Sequence, residues 1–67
     1  MDIDVQGKIL HDAEVIDNKD NYIFYCVKGK IYVNDLNSTK HPDIKPLSQN
    51  AEAQKIFDES SKKFCKS

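Results

Sequence analysis

The chain contains no arginine: its ten basic residues are all lysines, set against eleven acids for a net charge of −1. Arginine supplies the planar fork that grips phosphates and guanine edges through two hydrogen bonds. Without it, and without a positive net charge, the chain is poorly suited to duplex DNA. Long apolar runs are missing too. The longest, Tyr22 to Val27, falls far short of the roughly 18–20 residues a membrane helix needs. The opening Met1-Asp2-Ile3-Asp4 is acidic and has no basic region leading into an apolar one. That excludes an ordinary secretory signal at this start, and the expectation is a cytoplasmic protein.

Residues that carry chemistry are equally scarce. The two cysteines, Cys26 and Cys65, lie far apart. A disulfide between them is arithmetically allowed, but two cysteines are not a scaffold pattern. In a reducing compartment the expected roles are a small buried apolar residue at Cys26 and a half-exposed thiol at Cys65. Whether both are free thiols stays open. His11 and His41 lack the closely paired ligands that mark structural zinc, so no metal or cofactor is expected. Cys26 sits in the most apolar run, where burial would raise its thiol pKa and leave it inert. The serines have no nucleophile-elbow context, and the chain is short for a substrate pocket. A non-enzyme is expected.

What is present is a pattern. Apolar residues make up 39% of the chain and charged residues 31%, and the apolar ones cluster and alternate rather than scatter. That is the profile of a folded domain, not a disordered tail. A chain of 67 residues makes one small domain, 1–67. It would bury only about 60% of its unfolded surface. Such a core rarely supplies more than roughly 3–5 kcal/mol unaided.

Residues 2–16 alternate with period 2, with Ile3, Val5, Ile9, Ala13 and Val15 at odd positions. This predicts a strand near 2–6 and a longer one near 8–16, separated at Gly7. Asp17-Asn18-Lys19-Asp20-Asn21 is a turn-forming cluster. Aromatic and β-branched residues then flank Lys28-Gly29-Lys30, which predicts a hairpin of strands 21–28 and 30–35. Its register is ambiguous. A two-residue link puts Tyr22, Phe24, Cys26, Ile31 and Val33 on one face; a three-residue link puts Ile23, Tyr25 and Val27 with Ile31 and Val33. Residues 36–47, with Pro42 and Pro46, read as a loop. From 48 to about 65, Ala53, Ile56, Phe57, Ser60 and Phe64 recur at helical spacing, with Ser48 or Asn50 as cap. Strands first and helix last predict an α+β fold: an antiparallel meander of three to four strands with one C-terminal helix on one face.

Charge is divided unevenly. Residues 1–21 hold six acids and two lysines, a balance of −4, while residues 22–67 hold five acids and eight lysines, a balance of +3. Asp2, Asp4, Asp12 and Glu14 occupy even positions and are expected on the outward strand face. Such a stripe protects strand edges from aggregation, or docks on a basic partner. Tyr25 and Tyr32 are the aromatic candidates for partner contact, because the first hairpin strand is apolar on both faces. The resulting expectation is a non-enzymatic protein-binding module, such as a small inhibitor encoded by a phage or bacterium. It would bind a basic protein partner through the acidic face and the tyrosines. Self-association into a homo-oligomer by edge pairing is a further expectation. Two other classes stand beside it. One is recognition of nucleic acid or a nucleotide-like ligand on an aromatic sheet face. The other is a structural subunit of an assembly.

Overall fold

The computed structural model describes residues 1–40, 42–60 and 65. His41, and positions 61–64 of the expected helix, lie outside the described residues. The fold is α+β. A hairpin of β1 (Ile3–Val5) and β2 (Lys8–Leu10) precedes a four-stranded antiparallel sheet. That sheet runs in chain order through β3 (Glu14–Lys19), β4 (Tyr22–Val27), β5 (Lys30–Asp35) and β6 (Ile44–Pro46). A 3-10 turn at Leu47–Gln49 leads into α1 (Ala51–Ser60).

Three links of two residues join β1 to β2, β3 to β4 and β4 to β5. Gln6-Gly7, Asp20-Asn21 and Lys28-Gly29 all have positive φ at both positions. That is the signature of the tight turn whose twist matches right-twisted strands. The Lys28-Gly29 link resolves the register: Val27 pairs with Lys30, Cys26 with Ile31 and Phe24 with Val33. Tyr22, Phe24 and Cys26 therefore share a face with Ile31 and Val33, and Ile23, Tyr25 and Val27 occupy the other.

The expected strand 8–16 is two strands. Asp12 adopts φ 65°, and the chain leaves the small hairpin at His11–Asp12 to enter the larger sheet. The first link also shifts the phase of the alternation. Ile3 pairs with Leu10, Asp4 with Ile9 and Val5 with Lys8. Ile9 thus shares the outer face with Asp4 and is 51% exposed, while Leu10 packs inward. The expected loop 36–47 also gives up three residues to β6, which pairs with β5 through Ile44↔Asn34 and Pro46↔Tyr32. Proline is tolerated there because β6 is an edge strand with one side unpaired.

β4 is covered on both faces. On one, Phe24 and Val33 are fully buried with Tyr22, Leu47 and Ala53, and Ile16, Ile31, Ile56 and Phe57 pack around them. The Phe24 and Phe57 rings meet at 5.1 Å. Asn50 caps α1, its side-chain oxygen accepting from the Ala53 amide at 3.1 Å. The helix begins at Ala51 rather than 48, because residues 47–49 form the tighter turn. On the other face the β1–β2 hairpin folds over Tyr25, Val27, Tyr32 and Ile44, inserting Ile3 and Val5. Met1 and Ala13 exchange backbone hydrogen bonds at 2.7 and 3.2 Å and anchor the hairpin base. The Gln6 amide donates to Gln49 at 3.1 Å and ties its tip to the 3-10 turn.

Cys26 and Cys65 form a disulfide, with Cα atoms 5.5 Å apart. The expectation of an unbridged small residue at Cys26 is corrected. The register supplies the reason: Cys26 lies on the helix-side face, within reach of the chain that follows α1.

Candidate functional site: the acidic edge strand

The four acids expected on one face do not share one. Asp2 and Asp4 lie on the β1 hairpin. Asp2 accepts an ion-pair contact from His11 Nδ1 at 3.1 Å. Asp4 Oδ1 accepts from the Gly7 amide at 2.9 Å, which closes the hairpin turn. Asp12 sits in the left-handed corner between the sheets. Glu14 pairs with Cys26 and so belongs to the helix-side face of β3. The two-residue link and the corner at Asp12 each change the phase of the alternation, which breaks the even-numbered stripe. Tyr25 and Tyr32, expected as partner contacts, lie on the face that the N-terminal strands fold over. They are 6% and 9% exposed, because the N-terminal hairpin covers them. A stacking platform for bases needs open ring faces, and these two rings are largely buried.

The structure gathers a different acidic feature. β3 is an edge strand, paired with β4 and with no described strand on its other side. Asp12, Glu14, Asp17 and Asp20 punctuate it and its flanks, against one lysine, Lys19. Glu14 and Asp17 lie across from Cys26 and Phe24 on the helix-side face, while Val15 and Asn18 lie across from Tyr25 and Ile23. Asp17 Oδ1 accepts from the Asn18 amide at 2.9 Å. Between Val15 and Asp17 the register shifts, and Ile16 is the extra residue. Its side chain packs into the helix-side cluster and pins the bulge. Val15 is left 50% exposed. The hairpin lid packs along the β6 side of its face.

The opposite edge is of another kind. β6 has three residues, ends in proline and is approached by β1. β3 is therefore the one long open ladder among the described strands. Sequence reasoning saw the acids of residues 12–20 but counted Asp17 and Asp20 as loop residues. The signal that finds them is the Asp20-Asn21 pair, whose two-residue turn extends β3 to Lys19.

Among the described residues, no three His, Cys, Asp or Glu side chains gather as metal ligands. No described helix is long and apolar enough to cross a membrane. Comparison with protein-family models, curated proteins and solved structures returns no match.

Proposed function

We propose that the protein is a non-enzymatic protein-binding module that adds an extended, lysine- or arginine-rich segment of a partner to the free edge of β3. The observation that carries this reading is a six-residue open strand with acids along it and Val15 standing free. Backbone groups of an edge strand supply the hydrogen bonds of strand addition, and side chains at alternate positions supply selectivity. The acids protect the edge as well as select for it. Two β3 edges brought together would place like charges side by side, so the carboxylates and the Ile16 bulge oppose self-pairing. A basic strand meets no such penalty. Asp2 and Asp4 serve the hairpin lid in this reading, not the partner. An inhibitor of this design would act by occupying a strand-pairing surface of its target.

The Cys26–Cys65 disulfide is a bond that oxidising compartments maintain. We favour an oxidising location.

The test uses an alternating Lys-Val hexapeptide and the oxidised chain. Titration should protect β3 backbone amides against hydrogen exchange. Affinity should fall as salt is raised, since exposed charge pairs are screened. Glu14→Lys/Asp17→Lys should abolish binding. Undiminished binding by that variant, or protection confined to other strands, would overturn the proposal.

A further inference from the structure

We propose that the open cleft between the β1–β2 hairpin and the β4–β5 turn binds a small phosphate ester with a compact apolar body. The cleft measures about 400 Å³, within the range of small-molecule sites. Its walls bring together Lys8, Lys28 and Lys30 from two hairpins that are separate in sequence. His11 completes the polar rim, its ring held by Asp2 at 3.1 Å. Among the described residues no carboxylate lines the cleft, although the chain as a whole has more acids than lysines. Among the described residues, none of these three lysines is engaged in an ion pair. Lys30 is instead steadied over the Tyr32 ring, with its ammonium 5.5 Å from the centroid.

Two further observations point the same way. Lys28 opens its turn at φ 50°, a position where Asn, Asp or Gly is the usual choice. The turn sets Lys28 at the hairpin tip, on the rim of the cleft. The floor is apolar, with Leu10 and Val27 packed below and Ile9 standing 51% exposed at the rim. A phosphate head would meet the ammonium groups, and a ring or short alkyl body would lie against Ile9. Three lysines lining one cleft with an apolar contact beside them recognise this combination better than bare phosphate. The site is independent of the acidic edge, since no residue of β3 lines it.

Phenyl phosphate is the probe, titrated into the oxidised chain at low ionic strength and followed by backbone amide NMR shifts. Saturable shifts are expected at Lys8–His11 and Val27–Tyr32. Lys8→Gln/Lys28→Asn/Lys30→Gln should weaken binding at least tenfold, with Lys28→Asn chosen because asparagine suits the turn. Ile9→Ser should weaken phenyl phosphate severalfold while leaving inorganic phosphate unchanged. Lys40→Gln/Lys55→Gln should change neither. A phosphotyrosine tripeptide carries the same head and body. Tighter binding of the tripeptide assigns the ester to a modified protein, weaker or equal binding to a free metabolite, and both uphold the cleft. Shifts that fail to saturate, that spread to Lys40, Lys45 and Lys55, or that survive the triple substitution would overturn the proposal.

Discussion

The two faces of β4 are covered by lids of unlike construction. The helix-side lid is long, capped by Asn50, brings Phe57 onto Phe24, and lies on the face that the disulfide fixes. The hairpin lid is two short strands, held at its base by the Met1–Ala13 pair and at its tip by Gln6–Gln49. Its grip depends on a few side chains, chiefly Ile3 and Val5. A chain of this size cannot bury a second large helix, so it folds its own N-terminus over the remaining apolar surface. The difference teaches where stability and accessibility reside. The helix face holds the fully buried pair Phe24 and Val33. The hairpin face leaves its β3 margin open, which is where Val15 is exposed.

Substitution at matched core positions should break the comparison most visibly. Phe24→Ala removes a fully buried ring and should cost about 3–5 kcal/mol, comparable to all the stability a core of this size supplies. Ile3→Ala on the hairpin lid should cost about 2 kcal/mol, because a lid of two short strands can settle into the space. Urea titration by circular dichroism checks both. A cost at Ile3 equal to that at Phe24 would make the two lids equivalent.

Reduction of the disulfide comes next. Cys26 and Cys65 are separated by 39 positions, a closure for which chain entropy gives about 4 kcal/mol, while measured values centre on about 2–4 kcal/mol. The urea midpoint should fall on reduction, with α1 amides losing exchange protection before those of β1 and β2. Equal loss from both lids would place the staple's effect on the whole fold rather than on one face.

A gain is expected from the hairpin side. Asn34 lies across from Ile23 and Ile44, and its side-chain Oδ1 is buried with no hydrogen-bond partner. Asn34→Val removes the unsatisfied oxygen and places a β-branched residue in a strand, for a gain of about 1 kcal/mol. Thermal and urea midpoints should rise together. A loss would mean that the amide of Asn34 is worth more to the lid than its oxygen costs.

Much of this arrangement was legible in the residues, and the gaps have physical causes. The β4–β5 hairpin is written in local terms, as aromatic and β-branched residues around a glycine link, and its existence follows from them. Its register does not, because both faces of β4 are apolar and the choice falls to the turn. The Asn50 cap and the Ala53–Ile56–Phe57 face are likewise local. β6 was hidden because Ile44–Pro46 forms a strand only by pairing with β5, a tertiary contact that no three-residue propensity reports. The disulfide was hidden because compartment, not spacing, sets the expectation. The candidate site was half legible. The acids near β3 stood out, but treating residues 2–16 as one alternation merged three segments that the turn at Gln6-Gly7 and the corner at Asp12 put out of phase. That merger also assigned Asp2 and Asp4 to a binding stripe, while the residues left open whether the N-terminal strands curl over Tyr25 and Tyr32 or leave that face exposed.

The smallest expected effect concerns the seam between α1 and the sheet. Burial raises the Tyr22 hydroxyl pKa above its ordinary value of 10.0, and the Glu52 and Asp35 carboxylates push it further the same way. The folded state therefore holds this proton more tightly than the unfolded chain does. Tyr22's contribution is fully present below the unfolded value and is lost as pH climbs through the raised one, because the unfolded state then binds fewer protons. Lysines also begin to lose charge near pH ~10.4, so the difference between two chains isolates the tyrosine. Between about pH 9 and about pH 11, the wild-type urea midpoint should fall more than that of Tyr22→Phe. Glu52→Gln should fall by an intermediate amount, since it removes one of the two carboxylates but not the burial. Parallel losses in all three chains would show that the α1 seam is indifferent to Tyr22 ionisation, and that alkaline sensitivity arises elsewhere on the sheet.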